Sequence, residues 1–319
     1  MYKSIFFAVA WLVGATGAGA QAYPDKPIRV ICTYAAGGGG DIIVRYFANQ
    51  LEKLTGQRML VENRAGANGH IGVEAALAAK PDGYTVMINS ASTVVGNTLL
   101  MNAARYDPLN DVQPVASLFH LGLALAVRAN SDIRNVADLT ALLKKKNGDA
   151  SYGVATASAL VASAMYFAMS GANGFRVNYK ASAEAARDVS QGQLEFAFVD
   201  ATLGLQQVRA GQVRLIAVTP RGGASAAPDV PAMSAAGYPE YDYDVKWLGW
   251  FPKGTPRPIM DQMHKLMTVV AQMPETKKFL FTSGADPLIS TSSENAAAMV
   301  RADFGMWRRI VEIAKIEKE

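Results

Sequence analysis

Short apolar runs alternate with amphipathic segments along most of the chain. The run IRVICTY, which begins at residue 28, is followed by DIIVRYFANQLEKLTG, where Ile43, Phe47, Leu51 and Leu54 recur at helical spacing. The alternation continues through RMLVEN and YTVMIN, and then through LALAVRA, FRVNY, LEFAFVD and VRLIAVT. Strands that alternate with helices predict an α/β fold with mainly parallel sheets flanked by helices.

Residues at the boundaries of these segments indicate where two helices begin or end. Asp41 is the expected N-cap of the first helix, and Gly56 is its expected C-terminal stop. The last helix is expected to open at TSSE, a capping box from Thr291 to Glu294. The segment 220–245 is rich in Pro, Gly, Ala and Tyr. We interpret it as an ordered wrap, because its tyrosines need packing partners.

The first 22 residues differ in composition from the rest of the chain. Lys3 is their only charge, IFFAVAWLVGATGAGA is apolar or small, and AQA at Ala20–Ala22 fits the A-x-A cleavage pattern. These features predict a secretory signal peptide at 1–22, cleaved after Ala22. No later run approaches eighteen uninterrupted apolar residues, so the mature protein is expected to be exported and not inserted in the membrane.

Length, charge and cysteine content narrow the class of protein. The chain has 319 residues, enough for two domains, and without Lys3 it carries 30 basic and 27 acidic residues. The basic residues are scattered apart from LLKKKNG at 142–148, which is typical of a solvated helix end, so no nucleic-acid partner is expected. The one cysteine, Cys32, lies within an apolar strand pattern and is expected to be a buried thiol.

The glycine run in AAGGGGD, residues 35–41, raises the question of a phosphate-binding loop. No Gly-Lys pair follows it, and Ile42 and Ile43 occupy the positions where a GxGxxG pattern needs glycine. Glycines between a strand and a helix let main-chain N–H groups and the helix N-terminus approach a small anion. A tight turn with no ligand explains the motif equally well, and both interpretations stay open on this motif alone.

The remaining polar motifs are less specific. GxxGxxG in RAGANGHIG, residues 64–72, favours a packing turn, whereas Ser90, Ser92 and Thr93 after YTVMIN suit either helix capping or a polar pocket. HExxH, GxSxG and CxxC are absent, and the three histidines are scattered. No catalytic residue, metal site or cofactor is therefore expected.

Many segments, taken in order, resemble one family. YPDKPIRVI, AAGGGGD, VENRAGANGHIG, KPDGYTV, YDPLNDVQPVA, AGQVRLIAVT, GWFPKGTPRPI and RADFGMW are similar to segments of the substrate-binding proteins of tripartite tricarboxylate transporters, the Bug family. The resemblance covers essentially the whole chain after residue 22. It implies a two-lobed periplasmic binding protein of type II-like architecture, with a ligand cleft between the lobes and no enzymatic activity.

The resemblance also implies lobe boundaries and partners. Lobe 1 is expected to comprise 23–120 with a return segment of about 247–290, and lobe 2 to comprise 121–246. The helix within 291–319 is left open to assignment to either lobe. The implied partners are a small carboxylate and a two-subunit membrane permease, and the binding protein itself is expected to be a monomer that closes around its ligand.

Members of this family hold the carboxylate largely through main-chain amides and waters at strand-to-helix loops. The residues of this chain that match those loops are Tyr34, Ala35, Gly37, Gly38, Asp41, Ser90, Ser92, Thr93, Thr156, Ser158, Lys180, Ala181, Ser182 and Asp200. Asp41 is expected to order its loop rather than to touch an acid. Asp200 is interpreted as either a helix cap or a partner for an amino group.

Two departures from the family pattern concern specificity. Ala35-Ala36 stands where many members carry two prolines, and ATASALVASAMY, from residue 155, lacks the glycine, asparagine and histidine of many members. This apolar character favours an acid with one strongly recognised carboxylate and an apolar or aromatic body over a tricarboxylate. Two alternatives to a transport function stay open. The protein could report ligand occupancy to a sensor kinase, or it could be an enzyme that acts on a carboxylic acid.

Overall fold

A computed structural model describes residues 23–313 and 315–318 of the chain, and the predicted signal peptide at 1–22 lies outside the described residues. The strands are β1 Ile28–Cys32, β2 Met59–Asn63, β3 Thr85–Ser90, β4 Val112–Leu121, β5 Leu123–Arg128, β6 Ser151–Val154, β7 Phe175–Asn178, β8 Phe196–Asp200, β9 Val213–Val218, β10 Val245–Pro252 and β11 Ala285–Pro287. The helices are α1 Gly39–Thr55, α2 His70–Leu77, α3 Asn97–Leu100, α4 Val136–Lys146, α5 Ala157–Ser170, α6 Ser182–Ser190, α7 Ala201–Arg209, α8 Arg257–Gln272, α9 Pro274–Thr282 and α10 Ser293–Ile313.

The strands form two sheets. The first has the order β11-β4-β10-β3-β1-β2, and the second has the order β7-β6-β8-β5-β9. The two-sheet α/β fold is thus confirmed, but both sheets are mixed rather than mainly parallel. β10 pairs antiparallel with β3 and β4, and β5 pairs antiparallel with β8 and β9. Each of these two strands is the first that the chain enters after crossing from the other sheet.

Two segments connect the sheets. Gly122 alone separates β4 from β5, and residues 219–244 lead from β9 back to β10. Thr219 ties the connections together, because its hydroxyl accepts a hydrogen bond from the Leu123 amide at 2.9 Å. Its own amide donates to the Leu123 carbonyl, also at 2.9 Å. The crossings therefore lie side by side, and the predicted division into lobes at residues 120 and 246 stays a prediction.

The connection of residues 219–244 is ordered, as its tyrosines predict. Tyr241 and Tyr243 are buried, and the Tyr241 hydroxyl donates to the Ala162 carbonyl at 2.8 Å. The Tyr238 hydroxyl lies 2.7 Å from the Thr140 hydroxyl on α4. The rings of these tyrosines pack in or against the core, and the hydroxyls of Tyr241 and Tyr238 form hydrogen bonds.

Helix boundaries confirm one sequence prediction and correct two. Gly56 ends α1 in the left-handed conformation, at φ 70°. The N-cap of α1 is Gly38 rather than Asp41, since the helix already begins at Gly39 and Asp41 lies in its first turn. At α10 the cap lies one residue later than predicted. Ser292 accepts from the Asn295 amide at 3.1 Å, and the Asn295 side chain accepts from the Thr291 amide.

One hydrophobic cluster includes buried residues of both sheets, and a second, smaller cluster, which contains Ala124, Val189 and Val199, packs against the second sheet. Cys32 is buried as predicted, and burial raises the pKa of its thiol. Trp307 of α10 packs against Gly96 of the turn Ser92–Gly96, where an added Cβ would lie 2.5 Å from the indole ring. α10 also contacts both β4 and α5, so it packs against elements of both sheets.

Substituting Gly122 with alanine is expected to destabilise the fold. An added Cβ would lie 2.5 Å from Cδ of Pro220 in the neighbouring connection, and a proline ring cannot turn away. We expect the free energy of unfolding to fall by about 1–3 kcal/mol, measured by urea denaturation. Gly222→Ala is the control, because a Cβ there meets nothing within 4 Å. Equal midpoints for the two variants would contradict the prediction.

Candidate functional site

A cleft of about 810 Å³ lies between the two sheets. Its walls come from the edge at which β1, β3, β6 and β8 end and at which the reversed strand β10 begins. Ligands of open α/β sheets bind outside the carboxyl ends of the strands, where loops are free to vary. The volume is that of a site for a small organic molecule.

The glycine loop after β1 forms part of the first wall. Gly37 has a φ of 80°, which turns the chain into α1. At Gly40 an added Cβ would lie 2.4 Å from the ring of Tyr34, so this glycine lets the ring lie on the helix. At Gly39 a Cβ would meet nothing within 4 Å. The first amides of a helix lack partners within it, and those of Gly39 and Gly40 belong to residues that line the cleft.

Asp41 holds this loop from beneath. Its carboxylate accepts hydrogen bonds from the Gly37 amide at 2.8 Å, from the Asn63 side chain at 2.7 Å and from Arg45 Nε at 2.9 Å. Burial alone would raise its pKa, but the bonds from Arg45, Asn63 and Gly37 lower that pKa to about 2. The expected loop-ordering role therefore agrees with the contacts, whereas the cap position does not.

A cluster of hydroxyl groups forms another part of the first wall. Ser90 Oγ lies 3.0 Å from Ser92 Oγ, 3.0 Å from Thr93 Oγ1 and 3.4 Å from the Tyr34 hydroxyl. Burial raises the pKa of Tyr34 to about 12, so its hydroxyl is neutral at pH 7. Each hydroxyl can donate or accept, which makes the cluster an uncharged surface able to bind a carboxylate.

Aromatic rings support this wall. Tyr34 stacks on Trp247, with ring centroids 5.2 Å apart, and Trp247 stacks in turn on Phe119 at the same separation. The indole N–H of Trp247 and the hydroxyl of Thr33 are buried without a hydrogen-bond partner among the described residues. Both residues line the cleft. Buried polar atoms are usually paired, so these two unpaired atoms are exceptions in the wall of the cleft.

The second wall comes from α5 and α7. Thr156 caps α5, since its hydroxyl accepts from the Ala159 amide at 3.1 Å. Asp200 occupies the N-cap position of α7, but its side chain makes no capping hydrogen bond. Thr202 of α7 donates to the Ser283 carbonyl, a contact that joins the second wall to the segment before β11.

The structure brings eight of the fourteen predicted site residues to the cleft surface. These are Tyr34, Ala35, Ser90, Ser92, Thr93, Thr156, Ser158 and Asp200. Contact of any of them with a ligand stays a prediction.

Six predicted site residues do not line the cleft: Gly37, Gly38, Asp41, Lys180, Ala181 and Ser182. The first three lie in or beneath the glycine loop, where Asp41 points inward. The other three follow β7, which is the edge strand of its sheet, and β6 separates it from β8. Lys180 is exposed, so a role for it as a point charge at the ligand is not supported by its position.

Several cleft residues were missed by sequence reasoning. Gly66, Asn68 and Gly69 line the cleft, although their motif favoured a packing turn. The GxxGxxG spacing after a strand was the signal available for them. Trp247 and Ser283 also line the cleft, but they come from strand and loop segments far along the chain, and no motif marks them.

Two mixed α/β sheets with a ligand-sized cleft between them are the architecture of two-lobed solute-binding proteins. Residues 43–316 match the sequence model of a protein family described as the tripartite tricarboxylate transporter family receptor. The chain belongs to this family. A UPF0065 protein of Bordetella bronchiseptica is 30% identical over 300 residues, which cover 93% of this chain and 88% of that protein.

Solved structures agree with this assignment. A structure described as a periplasmic transporter has a TM-score of 0.79 and 32% identity, and the match covers 91% of this chain and 98% of that one. The periplasmic binding protein BugD has the same TM-score of 0.79 with 26% identity, covering 93% of this chain and all of that one. The predicted Bug-family membership is therefore confirmed.

Among residues 23–313 and 315–318, no helix has the length and apolar character needed to cross a membrane. The same residues contain no group of three or more His, Cys, Asp or Glu side chains placed to hold a metal ion.

Proposed function

We propose that this protein captures a small organic carboxylate in the cleft and delivers it to a two-subunit permease of the tripartite tricarboxylate type. The observation that carries the proposal is the construction of the first wall. Uncapped amides at the start of α1 and a cluster of hydroxyls around Ser90 face the same cavity. Such groups suit a carboxylate bound by hydrogen bonds, with the helix N-terminus adding a favourable field.

Capture would work by closure of the two walls over the acid. Both walls end in helix N-termini at the cleft, α1 in the first and α5 in the second. The connections at Gly122 and 219–244 are the segments that can absorb a change in the angle between the sheets. The closed form would then be the one that the permease receives. This part of the proposal rests on family membership.

A carboxylate panel tests capture by thermal melting. A ligand at about a hundred times its dissociation constant should stabilise the fold by roughly 2.7 kcal/mol. This corresponds to a rise in Tm of several degrees, because each kcal/mol of added stability raises the Tm of a domain of roughly 150–250 residues by about 2–4 °C. Aliphatic, hydroxy, amino and aromatic acids form the panel, and the matching primary alcohols are the controls. Equal shifts for acids and alcohols would contradict the proposal.

A further inference from the structure

The cleft surface carries a negative rather than a positive side-chain charge. Asp200 is the one residue of the described cleft surface that carries a formal charge at neutral pH, since Tyr34 stays neutral. No lysine or arginine lines the cleft within the described residues. A ligand with two carboxylates would therefore place its charges beside a third negative group, without any cation to balance them.

No other described residue forms a hydrogen bond or an ion pair with the Asp200 carboxylate, which accepts from its own backbone amide. Its side chain does not cap α7, although it stands in the N-cap position, and no ion pair reaches it. Burial raises the pKa of this carboxyl and its own backbone amide lowers it, while the residue stays partly exposed at the cleft surface. Desolvation of a carboxylate is unfavourable unless another group pairs with it. Within the described chain, no cationic side chain on the second wall supplies that group, so the carboxylate is free to pair with a cationic group of a ligand.

The two ends of the cleft differ in electrostatic character. The first wall presents the N-terminus of α1, the hydroxyls around Ser90 and the unpartnered N–H of Trp247, all suited to a negative group. Asp200, on the second wall, suits a positive group. Ile42, Ile43 and Leu203 line the space near these groups and offer apolar contact.

We propose that the ligand is a zwitterionic amino acid with an apolar body, whose carboxylate binds the first wall and whose ammonium group pairs with Asp200. The inference rests on the proposed function and narrows its ligand class. The zwitterion carries no net charge, so its two ends satisfy the two ends of the cleft without a basic side chain. Asp200 then selects against dicarboxylates by repulsion and against simple monocarboxylates by remaining unpaired.

Matched pairs of acids test this proposal on the purified protein by isothermal titration. The pairs are leucine with 4-methylpentanoate, phenylalanine with 3-phenylpropanoate, and 6-aminohexanoate with hexanoate, and pentanedioate is added as a dicarboxylate. We expect the amino member of at least one pair to bind about tenfold to a hundredfold more tightly than its partner, the usual range for a hydrogen bond between charged groups.

Two variants locate the effect. Asp200→Asn should remove the advantage of the amino member and leave the desamino acid bound as well or better, because an amide can donate to a carboxylate. Asp229→Asn makes the same chemical change at an exposed position outside the cleft surface and should change nothing. The comparison of pairs on the unmodified protein stands even if the Asp200 variant folds poorly.

The outcomes separate the two proposals. Equal affinities within every pair, or tighter binding of pentanedioate than of any amino acid, would overturn the zwitterion inference and leave carboxylate capture intact. An amino preference that survives in Asp200→Asn would overturn the role of Asp200. If no acid of any class binds, the proposed function itself fails, and the inference fails with it.

Discussion

Replacing Asp41 with alanine is expected to lower the free energy of unfolding by about 2–4 kcal/mol. The substitution leaves the Gly37 amide, the Asn63 side chain and Arg45 Nε without their common acceptor. The glycine loop would lose its anchor, so carboxylate affinity should fall together with stability. Urea denaturation and titration with whichever acid the panel identifies are the two measurements.

The pH dependence of Asp41 gives an independent check. Its pKa in the folded protein is about 2, below the ordinary value of 3.8. A carboxylate with a lowered pKa contributes stability that is fully present above its unfolded pKa and is lost as the pH falls toward 2. We expect the unmodified protein to lose about 1–2 kcal/mol more than Asp41→Asn between pH 5 and pH 2. Parallel pH profiles would contradict this role.

Replacing Gly39 with leucine is expected to weaken carboxylate binding by at least about a hundredfold while leaving the fold intact. A side chain at Gly39 meets no protein atom within 4 Å and would enter the cleft beside the first amides of α1. It would cover the N–H groups proposed to bind the acid. The melting temperature should stay unchanged or rise slightly, because leucine is a better helix former than glycine.

The control for Gly39→Leu is Gly222→Leu. Gly222 also has open space around its Cβ position and lies outside the cleft surface. Its substitution should alter neither binding nor stability. If Gly39→Leu bound the acid as tightly as this control does, the glycine loop would be removed from the proposed site. If Gly39→Leu lost much stability and Gly222→Leu did not, the interpretation that a side chain at Gly39 has free space would be wrong.

Local features of the fold could be predicted because they depend on neighbours in the chain. The helical spacing of Ile43, Phe47 and Leu51 predicted α1, and Gly56 was correctly placed at its end. Errors of a few residues at Asp41 and at the start of α10 have a common cause. Several residues in each segment can cap, and the packed structure decides which of them does.

Contacts between distant segments could not be predicted from the residues themselves. The cleft joins Ser90 to Trp247 because β3 pairs with β10, and it includes Ser283 because β11 joins the same sheet. The loop at Lys180 was expected at the site, but β7 proved to be an edge strand and carries that loop away from it. Strand order is a global property, and one sequence without related sequences holds no direct signal for it.

The sequence by itself determined the alternation of strands and helices, the glycine loop at the start of α1 and the absence of known catalytic motifs. Its ordered resemblance to one family also determined the class of protein, which the comparisons confirm. Only the tertiary structure decided that Asp41 points beneath the loop while Asp200 faces the cleft unpaired. The physical reason is that a carboxylate's role depends on the charges and donors that folding brings to it, and those come from other strands.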